Sequence, residues 1–163
     1  MAPSCRTVAE TLVIDKIDSD IMQALLANGR ASINEISESV GLSQTPVARR
    51  IRRLEQAGII TGYTALVDEA ALGFGVSVFV SVKLDRQVDE ALETFEAAVT
   101  AYPEVVDCWL MTGSRDYLLR IATESLKTFE VFLVGKLTKV HGVASIESSI
   151  PLRRVKAGLS RAV

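Results

Sequence analysis

GLSQTPVARRIRRLEQAGII, residues 41–60, is the stretch from which the rest of the chain can be read. Ser43 stands where a helix N-cap belongs, Pro46 falls in the first turn, where its missing N–H has no partner to lose, and Gly58 suits the left-handed residue that stops a helix. At about 100° per residue, Val47, Ile51 and Leu54 share one face while Thr45, Arg49, Arg52 and Gln56 gather opposite. One face is built for a core, and the other offers donors and positive charge. Arg49, Arg50, Arg52 and Arg53 crowd together with only Glu55 as local opposition. Such guanidinium groups match phosphate oxygens and guanine edges, although charge alone also fits an ordinary solvated helix.

The residues upstream separate these readings. Ser32-Ile33-Asn34-Glu35 has the form of a capping box and opens a short helix whose Ile33, Ile36 and Val40 share a face, with Gly41 ending it. Gly41-Leu42-Ser43 is then the tight turn of a helix-turn-helix. Further back, Asp15 can cap a longer helix with Asp18 near its positive dipole end; Ile17, Ile21, Met22, Leu25 and Leu26 form its apolar stripe, and Gly29 closes it. Residues 13–60 thus read as a three-helix DNA-binding domain of the winged helix-turn-helix kind. Its DNA-binding residues are expected to be Ser43, Gln44, Thr45, Pro46, Arg49, Arg50, Arg52 and Arg53. Gln44, Thr45 and Arg49 lie nearest base edges, and Arg52 and Arg53 lie nearer phosphates, because the N-terminal end of a recognition helix enters the groove.

Composition limits what else the chain can be. Its 163 residues are 48% hydrophobic, enough for packed cores, and carry a net charge of −2. Attraction to nucleic acid must therefore come from a local basic face. The two cysteines, Cys5 and Cys108, form no CxxC, and His141 is the single histidine, so no disulfide framework, metal site, cofactor or catalytic constellation is expected. Cys108 reads as a small buried strand residue. The sequence shows neither an apolar run of membrane-spanning length nor a signal-peptide core, which points to the cytoplasm.

Residues 1–12 read as a flexible arm, 59–67 as a strand leaving the DNA module, and 68–73 as one capped turn, so that 61–75 make a strand and linker. From residue 76 the period becomes two: Val76, Val78, Val80, Val82 and Leu84 alternate with Ser77, Phe79, Ser81 and Lys83. A helix over 88–102 follows, then strands over 105–112 and 117–122 around the hairpin Gly113-Ser114-Arg115-Asp116. A second helix runs from the cap Ser125 through Leu137 and Val140 to Gly142, and a last strand covers 143–152. The order β-α-β-β-α-β makes residues 76–155 a ferredoxin-like sandwich, leaving 156–163 as a tail; the fold class is α+β.

Two helices cover only one face of such a sheet. Phe79 lies opposite the Val76 set, and neither phase of Cys108-Trp109-Leu110-Met111 is polar. A second copy of the sheet is the simplest cover, which makes Phe79, Trp109 and Met111 candidates for a homodimer interface, although Trp109 could instead belong to the single-subunit core.

With both modules in place, GLSQTPVARRIRRLEQAGIITGYTALVD and the hairpin MTGSRDYLL resemble the Lrp/AsnC family of leucine- and asparagine-responsive transcription regulators. The resemblance covers residues 13–151. It implies a sequence-specific regulator that binds double-stranded operator DNA and an amino-acid effector, dimerises through its C-terminal sheets, and assembles into tetramers or octamers. Gly113 permits close backbone approach, its loop can offer amides to a carboxylate, and Asp116 could accept from an ammonium group, although a tight hairpin favours the same residues. The resemblance places the effector at Thr112, Gly113, Ser114, Arg115, Asp116 and Tyr117, with Thr138 and His141 as weaker contributors. Two alternatives are a sirohaem-decarboxylase-like enzyme, which a single histidine disfavours, and a small-molecule-binding module that no longer meets DNA.

Overall fold

The structure, a computed structural model, describes residues 12–156. It divides into two units, the first ending at Leu66 and the second covering Val67–Lys156. The first holds helices α1 (Lys16–Ala27), α2 (Ile33–Val40) and α3 (Gln44–Gln56). Ile21, Ile36, Val47 and Ile51 meet at their centre, each from the apolar stripe of its helix. The expected capping box of α2 is present, Ser32 and Glu35 accepting from each other's N–H, and α1 has one as well: Asp15 caps it as expected, accepting from the Asp18 N–H, while Asp18 accepts from that of Asp15. Gly58, at φ 66°, ends α3 in a Schellman motif, the Ile59 N–H reaching the Leu54 carbonyl and the Gly58 N–H that of Glu55.

The strand expected over 59–67 does not form. Its unit contains no other strand among the described residues, and a β-branched segment without a ladder partner cannot satisfy its backbone groups by pairing. Tyr63, Leu66 and Val67 are exposed, and the Tyr63 hydroxyl donates to Glu55. The turn expected over 68–73 is present, with Asp68 accepting from the amides of Ala70 and Ala71.

In the second unit, β1 (Val76–Leu84), α4 (Asp89–Thr100), β2 (Val105–Leu110), β3 (Tyr117–Thr123), α5 (Leu126–Gly135) and β4 (Val143–Ser149) build an antiparallel sheet of order β2-β3-β1-β4. Val78, Val80, Val82, Tyr117, Leu119 and Ile121 point to one side and pack with Phe95, Val99 and Phe132 of the helices. The last helix is shorter than expected: α5 stops at Gly135, Lys136 leaves helical geometry at φ −123° and ψ −65°, and Leu137–Lys139 form a 3₁₀ turn. Glycine is a weak helix former, and the break delivers Leu137 into the core, where it is fully buried. The last strand likewise ends at Ser149, short of Pro151, which has no amide to add to a ladder.

The opposite face carries Phe79, Ser81, Leu118 and Trp109, in register across β1, β3 and β2. Arg120 also lies there, donating twice to Glu69 of the linker turn at 2.9 Å and once to Asp107 at 3.3 Å. That guanidinium holds the Glu69 carboxyl below its usual range. Cys108 is not buried as expected but exposed, because β2 is an edge strand.

Candidate DNA interface and effector site

The arginines of α3 divide by pairs. Arg50 donates to Asp15 Oδ2 at 2.7 Å and Asp18 Oδ1 at 2.8 Å, and Arg53 donates to Asp18 Oδ2. Asp18 is fully buried; Arg50 and Arg53 retain 22% and 44% of their side-chain exposure. Asp15 is held below the usual carboxylate range by the Asp18 N–H and then by Arg50. Two arginines assigned to DNA from sequence are thus tied to the start of α1, and Arg50 in particular fastens helix to helix. The sequence signal was present in their one-turn spacing, matched by the one-turn spacing of Asp15 and Asp18.

Arg49 and Arg52 are exposed, and their side chains make no ion pair or hydrogen bond with any described residue. Thr45 is exposed beside them, and Pro46 is partly covered in the first turn. Ser43 occupies the N-cap position with extended backbone, but its hydroxyl makes no cap hydrogen bond, leaving it available to another acceptor or donor. Gln44 is held: its Nε2 donates to Asn34 Oδ1 at 2.8 Å, and Asn34 Nδ2 donates to Glu38 Oε1 at 2.7 Å.

In the hairpin, Gly113 has φ 113°, and the amides of Thr112, Gly113, Ser114 and Arg115 find no partner among the described residues. The neighbouring Asp116 departs from expectation. It is 3% exposed, its Oδ2 accepts from the Leu84 N–H at 2.7 Å, and its Oδ1 accepts from Gln87 Nε2. Leu84 lies past Val82–Tyr117, the last β1–β3 pair, and the Asp116 carboxylate supplies the acceptor for its amide there. With each oxygen accepting one hydrogen bond from β1 or the segment after it, its geometry is that of a loop anchor.

Tyr117 also points inward, its ring against Phe95 and its hydroxyl donating to Glu96 at 2.8 Å; burial and then Glu96 push its phenol upward in pKa. Arg115 spans to Ser145 at 2.7 Å and Glu147 at 2.8 Å. Thr138 donates back to the Val134 carbonyl near the end of α5, and His141 is exposed. Of the predicted effector residues, Thr112, Gly113 and Ser114 in the hairpin and the more distant His141 are therefore the ones left open.

A three-helix unit with a free cationic face, followed by an α/β unit with an open amide-bearing loop, defines a DNA-binding regulator with a sensing domain. The sequence model for winged helix-turn-helix DNA-binding domains matches residues 14–61, and that for the Lrp/AsnC ligand binding domain matches residues 77–160. The chain is 43% identical over 142 residues to the Bkd operon transcriptional regulator of Pseudomonas aeruginosa, covering 87% of this chain and 93% of that protein. It is 37% identical over 143 residues to the leucine-responsive regulatory protein of Rhizobium meliloti, covering 88% and 92%. A transcriptional regulator of Neisseria meningitidis, solved as its L-Met complex, superposes with a TM-score of 0.87 at 38% identity, covering 91% of this chain and 96% of that one. The chain belongs to the Lrp/AsnC family and is a DNA-binding, ligand-responsive transcription regulator.

Proposed function

We propose that the regulator enters the major groove of its operator with Gln44, Thr45 and Arg49, and grips phosphate through Arg52, with Arg53 contributing its remaining donors. The observation that carries this is the division of the arginines: Arg49 and Arg52 are unpaired cations beside exposed Ser43 and Thr45, whereas Arg50 is committed to Asp15 and Asp18. The effector is an amino acid whose carboxylate takes the free amides of residues 112–114; the Neisseria relative's complex with L-Met supports this class of ligand. The chain works by binding rather than catalysis, in the cytoplasm, as a homodimer paired through the sheet face of Phe79, Trp109 and Met111 and able to assemble further. Trp109 and Met111 are 43% and 42% exposed, and Phe79 shares their uncovered face, which favours a partner sheet over a solvated one. Selection of duplexes from a random library by the full-length chain tests the reading. One enriched motif with two related half-sites supports it, and recovery of unselected sequences overturns it.

A further inference from the structure

We infer that Glu38 and Asn34 are positioning residues that fix which hydrogen-bonding atom Gln44 shows to the DNA; this rests on the reading that Gln44 faces the groove. A carboxylate has no proton to donate, so the Asn34 side chain must turn its NH₂ toward Glu38, the 2.7 Å contact observed. Its carbonyl is then left facing Gln44 and can only accept, so Gln44 must present its own NH₂ to Asn34, the 2.8 Å contact observed. Two amides that could each be flipped in isolation are thereby set in one sense by a single charge. Gln44 is the first residue of α3 and exposed, and its Oε1 and second Nε2 hydrogen make no contact with the described residues. The acceptor it shows matches a base carrying an exocyclic amino group in the major groove. Adenine fits best, because its N6–H can donate to Oε1 while its N7 accepts the remaining Nε2 hydrogen; cytosine N4 satisfies the acceptor alone.

Reversing the charge at position 38 should reverse the relay. A lysine there only donates, so Asn34 turns its carbonyl outward to it and its NH₂ to Gln44, which then turns its carbonyl inward and shows two donors to the groove. Donors match the acceptors of guanine and thymine. A glutamine at 38 offers either atom and leaves the sense unset.

The test is base preference at every position of a randomised duplex library, read with the full-length parent and with Gln44→Ala, Asn34→Ala, Glu38→Gln and Glu38→Lys variants whose melting confirms folding. The parent should prefer adenine or cytosine at one position in each half-site, and Gln44→Ala should erase that preference. Asn34→Ala and Glu38→Gln should weaken it by roughly fivefold at that position while leaving the others unchanged, and Glu38→Lys should move it toward guanine or thymine. Loss of a negative charge by itself would strengthen binding to all sequences alike, so a change confined to one position separates the relay from general electrostatics. If Gln44→Ala erases the preference while the three relay variants keep it, the relay is overturned and the groove assignment stands. If Gln44→Ala changes no preference, the groove assignment itself is wrong, and the relay with it.

Discussion

Asp18 and Arg50 lie 2.8 Å apart, the carboxylate fully buried in α1 and the guanidinium rooted in α3. Arg50→Ala leaves that carboxylate with Arg53 and a backbone N–H but removes its best-shielded cation. We expect a loss of about 1–3 kcal/mol in urea unfolding, toward the low end because Arg50 keeps some solvent access. Arg49→Ala, exposed and unpaired, should stay within about 0.5 kcal/mol of the parent. Equal costs for the two would mean that the ion pair adds nothing to the three-helix core.

The same division predicts opposite behaviour on DNA. Arg49→Ala should cost about 1–3 kcal/mol of operator affinity and relax preference at one base pair, while Arg52→Ala should weaken all sequences alike and reduce the salt slope by about one. Arg50→Ala should affect affinity only as far as it lowers the folded fraction. Fluorescence anisotropy titrations across several salt concentrations distinguish the three, and an Arg50 variant that is fully folded yet blind to DNA would contradict the assignment.

Periodicity made the helices and the βαββαβ order readable, since Val78, Val80 and Val82 on one side and Phe95 and Val99 on another leave few alternatives. Pairwise tertiary choices were less legible. Four neighbouring arginines look alike in sequence, and the carboxylates of Asp15 and buried Asp18 divide them. Residues 59–67 have strand composition but no strand beside them in their unit, which local propensity cannot reveal. Asp116 carries a turn signal, yet its carboxylate answers the Leu84 N–H at the end of β1, 32 residues away in the chain.

Acid should loosen the first unit. Asp15 and Glu35 are both held below the ordinary carboxylate value, the first by the Asp18 N–H and Arg50, the second by the Ser32 N–H and hydroxyl. A depressed folded-state pKa means that the stabilisation is fully present above the unfolded value of about 4 and is lost as pH falls through the lower folded value. Melting temperatures measured from pH 7 to pH 3 should therefore drop across the acid end of that range. Asp15→Asn and Glu35→Gln should begin less stable at pH 7 and show a shallower drop; a slope identical to the parent in both would remove the caps as its source.

Charge on the uncovered sheet face should separate the subunits. Phe79 and Trp109 share that face, so Phe79→Asp or Trp109→Asp would place a carboxylate in the proposed pairing surface without entering the helix-side core. Sedimentation should show either variant shifted toward monomer at micromolar concentration, with its helix and strand content unchanged. A variant that sediments like the parent would move the interface to another surface.

The hairpin offers the sharpest test of how the effector is held. Gly113 sits at φ 113°, a conformation a β-branched side chain resists, so Gly113→Val should distort the amides of residues 112–114 and reduce affinity for the amino acid identified by thermal-shift screening at least tenfold. Asp116 discriminates between two roles. Asp116→Ala removes the acceptor of the buried Leu84 N–H and should destabilise the chain by about 1–3 kcal/mol. Asp116→Asn keeps one carbonyl oxygen for that amide while losing the charge. If the side chain only anchors the loop, the asparagine variant should retain most of its effector affinity in calorimetric titration. A folded Asp116→Asn protein that no longer binds would instead mean that the carboxylate leaves Leu84 and Gln87 to meet the ligand's ammonium group, making the end of β1 part of the sensing movement.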